Sequence, residues 1–255
     1  MPAPTNTFKQ RLKAGDRLIG CWMTLADIYS AEVLGTAGFD WVVVDGEHSP
    51  NDIRSMRDQL IALEASDTHP VVRVPIGETR LIKQVLDIGA QTVLVPMVET
   101  AEQAQELVRA CRYPPEGTRG VGASAARASR FGSIPDYIAT ADDQICLLVQ
   151  VENRAGIANI DEILAVEGVD GVFIGPADLS TDMGHQGNSS APEVEQVILA
   201  TLQRIKDAGK APGILSTKDE TTALYRDGGA QFLAVGIDLL MLARATREAA
   251  AKWKT

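Results

Sequence analysis

The fold is decided by a phrase that occurs three times: TAGFDWVVVD at 36–45, DIGAQTVLVP at 87–96 and RDGGAQFLAV at 226–235. Each runs from the end of a helical pattern, through a turn of small residues, into a short apolar run suited to a strand buried on both faces. Working outward, the same alternation predicts strands at 18–24, 41–45, 70–74, 92–96, 146–151, 170–174, 212–215 and 231–235. Helical patterns fill 28–37, 50–64, 78–88, 100–111, 156–166, 191–208 and 218–227, and Gly38, Gly89, Gly209 and Gly228 stand where helices stop. Eight strands separated by helices predict an α/β protein, a (β/α)8 barrel. A doubly wound sheet fits the alternation too, but the near-even spacing favours the barrel.

At 255 residues and 45% hydrophobic the chain can bury a large core, and no linker or low-complexity stretch divides it, so one domain over 1–255 is expected. There is no run of 18 apolar residues and no charged-then-apolar start, which predicts a cytoplasmic protein without a membrane partner. A net charge of −10 argues against nucleic acid, whose phosphates it would repel. Cys21, Cys111 and Cys146 are too far apart to suggest a zinc site and read as buried thiols. The one uneven gap, 112–145, is polar and glycine-rich and reads as a long loop. Its Arg119, Arg127 and Arg130 would either draw anions to the barrel mouth or contact another subunit.

In such a barrel, chemistry gathers where the strands end. Asp45, Glu47 and His48 follow the second strand, Arg73 closes the third and Glu99 follows the fourth. Gln150 and Glu152 end the fifth, and Asp178 follows the sixth. Glu152 and Asp178, with no Cys or His pair beside them, suit a hard divalent cation such as Mg²⁺ or Mn²⁺, or else cap the helices that follow. The small residues Gly175, Pro176 and Ala177 leave backbone N–H groups free to face an anion. Arg73 in an apolar strand needs a partner, which is either a substrate oxygen or a fixed ion pair with Glu152 or Asp45. His48 is a candidate general base, oriented by Asp45 or another acid, while His69 and His185 read as surface residues in loops. A Schiff-base mechanism would need a lysine at a strand end, and only Lys218 is placed for it.

Taken together, DGEH at 45–48, VVRVP at 71–75, LIKQVLDIGAQTVLVPMVET at 81–100, YPPEGTRGVG at 113–122, QVEN at 150–153 and GVFIGPADLS at 171–180 resemble the HpcH/HpaI aldolases. The likeness runs through essentially the whole chain, with the motifs in the family's order. It implies a phosphoenolpyruvate/pyruvate-type TIM barrel and a class II aldolase that splits 4-hydroxy-2-oxo acids into pyruvate and an aldehyde. It also implies a divalent cation (Mg²⁺, Mn²⁺ or Co²⁺) on Glu152 and Asp178, Arg73 on the pyruvate keto oxygen, and His48 as base with Asp45 nearby. Gln150 and the Ala177 amide would touch pyruvate, and Asp87 would reach a neighbouring subunit's histidine. The resemblance further implies a hexamer, a trimer of dimers that exchange the C-terminal helix. A lyase acting on a CoA thioester, of the citrate lyase β kind, and a non-catalytic sugar-acid or phosphate-binding barrel are the competing readings.

Overall fold

The computed structural model of the chain describes residues 1–254. Eight parallel strands close into a barrel in sequence order: β1 (Leu18–Met23), β2 (Trp41–Asp45), β3 (His69–Arg73), β4 (Thr92–Val95), β5 (Cys146–Val151), β6 (Gly171–Ile174), β7 (Ala211–Leu215) and β8 (Phe232–Ile237), with β8 returning to β1. The expected strands are all present within one or two residues at each end.

Strand parity explains both the core and the site. Along β2, Trp41 and Val43 point into the barrel while Val42 and Val44 pack under the surrounding helices. Two residues on, the same parity turns Asp45 inward at the top. On β3 the inward series ends in Val71 and Arg73. On β5 it runs through Cys146 and Leu148 to Gln150 and, just past the strand, Glu152. The chain thus fills the barrel with apolar side chains from below and changes to charged ones in its last layer.

The lower end is plugged. Helix Thr7–Ala14, capped by the Asn6 side chain, buries Phe8 and Leu12 against the barrel interior. Phe8 packs on Trp41 and Phe232 and lies flat on the His69 ring, centroids 5.2 Å apart and planes 10° from parallel. His69 is therefore no surface loop residue. It opens β3, its Nε2 is 2.8 Å from Thr92 Oγ1, and burial pushes its pKa down to about 4. The large rings inside the barrel need room from their neighbours: a Cβ on Gly20 would lie 2.3 Å from the Trp41 ring, and one on Gly213 would lie 2.1 Å from that of Phe232.

Three further differences from the sequence reading stand out. The stretch 156–166 forms two short helices, Arg154–Ala158 and Ile160–Leu164, meeting at Asn159. The segment 112–145 has a small core of its own, in which Tyr113, Ala123, Ile134, Tyr137 and Ala141 pack with Ala3. And its arginines do not sit at the mouth. Arg119 bonds Asp87 at 3.0 Å, and Arg127 bonds the Ile88 carbonyl and Glu64. Those partners lie where helices end and strands begin, the opposite end of the barrel from the strand termini.

Candidate active site

The stretch that follows β2 is built around Asp45. Its backbone carbonyl accepts from Ser49 Oγ at 2.6 Å and Asn51 Nδ2 at 2.7 Å, and its Oδ1 accepts from the Glu47 amide at 2.9 Å and the His48 amide at 3.4 Å. Gly46 makes the turn: its amide donates to the Arg73 carbonyl at 2.8 Å, and a Cβ there would lie 2.7 Å from that same oxygen. The DGEH loop is therefore fastened to the end of β3, which places Glu47 over Arg73.

Arg73 is held on one edge by Asp45, Nε donating to Oδ1 at 2.8 Å and Nη2 to Oδ2 at 2.6 Å. On the other side Nη1 is 2.6 Å from Glu47 Oε2. The Trp22 ring covers the guanidinium, 5.0 Å from its carbon. Of the partners weighed for Arg73, Asp45 is the one present and Glu152 is not. Asp45, spent on Arg73 and on two amides, does not orient the His48 ring. The acid nearest that ring is Glu47, with Oε2 3.8 Å from Nε2. His48 itself is exposed at the mouth.

Across the mouth, Glu152 is buried and both its oxygens are engaged. Oε1 accepts from the Met97 amide at 2.9 Å and Oε2 from Gln150 Nε2. Met97 makes that bond with φ at 57°, the left-handed region, a conformation that costs a non-glycine residue about 1 kcal/mol or more. Gly175 leaves the space beside Glu152 clear, since a Cβ there would lie 2.4 Å from Oε2. Ala177 and Asp178 are exposed in the first turn of the helix that follows. Asp87 alone of the expected site residues lies away from the mouth of its own barrel, at the far end with Arg119. Lys218 is exposed, at the start of helix Asp219–Asp227. A large cavity, lined by Lys9, Arg17, Arg112, Lys206 and Lys210 among others, is at the lower end too, so concavity alone would have pointed away from this cluster.

The sequence profile of the HpcH/HpaI aldolase/citrate lyase family matches residues 18–245. The chain belongs to that family. It is 63% identical over 254 residues to a hydroxypyruvate/pyruvate aldolase of Roseobacter denitrificans, covering 100% of this chain and 99% of that protein. It is 52% identical over 248 residues to a 4-hydroxy-2-oxo-heptane-1,7-dioate aldolase of Shigella sonnei, covering 97% and 95%. A solved HpcH/HpaI aldolase/citrate lyase family protein from Burkholderia cenocepacia superposes with a TM-score of 0.95 at 40% identity, covering 98% of this chain and 100% of that one. The protein is a carbon–carbon lyase of the aldolase class.

The electrostatics of this aldolase's mouth are lopsided. Burial alone would raise the Asp45 carboxyl, but the Arg73 guanidinium and the two loop amides outweigh it and hold it below the ordinary value. Burial raises the Glu47 carboxyl, with Asp45 and Asp178 adding to the effect against the pull of Arg73 and His48. Burial likewise raises Glu152, helped by Glu47 and Asp178 and opposed by Gln150 and the Met97 amide. Two carboxylates held above their usual range, by burial first and by neighbouring acids after it, are short of positive charge, and Gln150 Oε1 is buried without a partner. An all-oxygen donor set in that condition fits a hard divalent cation on Glu152 and Asp178. Among the described residues no group of three His, Cys, Asp or Glu side chains is placed to hold a metal by itself, so the rest of a coordination shell would come from water and substrate.

Sequence reasoning missed Glu47 and Trp22 as partners of Arg73. The signal for Glu47 was present, because a residue two past an inward-facing strand end, fixed by a glycine turn, comes back over the neighbouring strand. Trp22 is one residue before the end of β1 and shares the inward parity of Leu18 and Gly20.

Proposed function

We propose that this lyase is a metal-dependent class II aldolase that reversibly cleaves 4-hydroxy-2-oxo acids into pyruvate, or a close analogue, and an aldehyde. One observation carries the reading: the Asp45–Arg73 pair stands at one barrel mouth between His48 on one side and Glu152 with Asp178 on the other. The names of the two relatives above support the substrate class.

Breaking the bond between C3 and C4 needs two things at once. The C4 hydroxyl must give up its proton as it becomes the aldehyde, and the electron pair released from the bond must come to rest on the C2 oxygen. His48 takes the proton, its exposed ring being free to face the hydroxyl. Arg73 receives the developing charge on the C2 oxygen through the N–H groups that Asp45 leaves free, and Asp45 fixes the plane in which they point. Returning a proton to C3 then yields the methyl group of pyruvate. Gln150 and the Ala177 amide flank the 2-oxo acid. Glu152 and Asp178 would hold Mg²⁺, Mn²⁺ or Co²⁺, which supplies Lewis-acid polarisation of the carboxylate and keto oxygens. Asp87, remote from its own mouth, acts on a neighbouring subunit's histidine. The C-terminal helix Asp238–Trp253, with Leu239, Leu240, Leu242 and Trp253 exposed, packs on that neighbour in a hexamer.

The test is pyruvate release from racemic 4-hydroxy-2-oxopentanoate, coupled to lactate dehydrogenase, on EDTA-treated protein before and after Mn²⁺. Release only with Mn²⁺ is expected. Equal release without metal, with borohydride trapping pyruvate on Lys218, would replace the mechanism by a Schiff base. Silence under both conditions, with turnover of a CoA thioester, would move the protein to the citrate lyase branch.

A further inference from the structure

Resting on that reading, we propose that Glu47 is a positioning residue that changes partners during turnover, holding Arg73 until a substrate oxygen displaces it and then turning to the His48 ring. The case begins with the donors of Arg73. A guanidinium has five N–H groups. Asp45 takes two of them, from Nε and Nη2, in a side-on pair with both contacts at hydrogen-bonding distance. What remains for a substrate is the Nη1 group and the second N–H of Nη2, and Glu47 stands on Nη1.

The two acids do not hold Arg73 equally well. Asp45 makes two hydrogen bonds, is fully buried and is tied down by the loop that wraps it. Glu47 Oε2 is 2.6 Å from Nη1 but off the N–H direction, so that this buried oxygen makes no hydrogen bond at all. A charged oxygen that is close yet badly aimed is displaced by one that is close and well aimed, because most of a charge-assisted hydrogen bond lies in its direction. A 2-oxo acid brings such an oxygen. Once displaced, Glu47 has one cation-forming group within reach, His48 Nε2, 3.8 Å from the same Oε2. His48 is two-thirds exposed at 66%, so its ring can turn to meet the carboxylate. Substrate binding at Arg73 would thereby prepare the base at the moment it is needed.

The test is the split between KM and kcat in metal-loaded Glu47→Gln protein, with racemic 4-hydroxy-2-oxopentanoate as the probe. The amide keeps the side chain's size but no longer competes as a carboxylate for Arg73, nor supports a charged His48. KM should fall about tenfold, the change expected from one competing charge-assisted bond. kcat should fall about ten- to a hundredfold, as when the carboxylate that orients a histidine is lost. A merely structural Glu47 would give a raised KM, or no change in either constant, and each result overturns the inference. A lower KM with unchanged kcat overturns it as well, since nothing then passes to His48. Should the amide variant not fold, Glu47→Ala is read by the same split. Exchange of pyruvate methyl protons in deuterated water by the unmodified, metal-loaded enzyme separates the two failures. If that protein neither exchanges nor cleaves, the functional reading falls and this inference with it. If it does both and the variant matches it, only this inference falls.

Discussion

The two ends of the barrel are built from the same strands yet obey opposite rules. At the lower end Phe8, Trp41, His69 and Phe232 meet ring to ring, and the one titratable member is kept neutral by burial. At the mouth the residues of the same inward parity are Asp45, Arg73, Gln150 and Glu152, and charge is retained by pairing, or strained where pairing is short. The lower end closes the core, whereas the mouth carries unmet demand for positive charge and for hydrogen bonds. Substituting a residue at one end should therefore leave a signature that the other end cannot give.

The largest effect belongs to Arg73→Ala. It should remove retro-aldol turnover and pyruvate methyl exchange by a factor of about a thousand or more, and it should also lower stability by about 3–5 kcal/mol, because Asp45 is left buried and unpaired. Urea unfolding beside the deuterium-exchange assay reads both. Exchange that persists unchanged would make Arg73 structural and erase the contrast. Phe8→Ala is the matching change below, expected to cost about 3–5 kcal/mol with turnover per folded molecule unchanged. Loss of turnover in protein shown to be folded would mean that the ends are coupled.

The smallest effect sharpens the comparison through pH. The His69 pKa of about 4 lies below its unfolded value of 6.5, so between those limits the unfolded chain binds a proton that the folded one declines. Stability from this residue is whole above pH 6.5, falls as pH drops through the window, and changes no further below about 4. His69→Gln, which can still reach Thr92, should remove that share of the slope from urea midpoints measured across the window, and an unchanged slope would show that His69 does not set it.

Much of this arrangement was legible in the sequence, for a reason visible in β2. Alternation fixes which side chains enter the barrel, and helix-before-strand phrasing fixes which end of each strand is the top, so Asp45, Arg73, Gln150 and Glu152 could be placed from the sequence. The direction of a loop has no such period. That is why the sequence leaves Arg119, Arg127 and Arg130 open between the mouth and a subunit contact while their segment folds under the barrel, and why it offers His48 either Asp45 or another acid where a glycine turn brings Glu47. His69 failed differently. It falls one residue before the strand expected at 70–74, whereas β3 begins at His69 itself and the helix Thr7–Ala14 lays Phe8 on its ring.

The close approach of Gly20 to the Trp41 ring has a consequence for how such barrels diverge. The two positions are partners across β1 and β2 and share one volume, since a Cβ at 20 would lie 2.3 Å from the indole. The two are coupled: a methyl group at 20 requires a smaller side chain at 41, and a smaller side chain at 41 leaves a hole that residue 20 is placed to help fill. In a set of related sequences the two columns should therefore change together or not at all, which makes them a built-in check on any alignment of the first two strands.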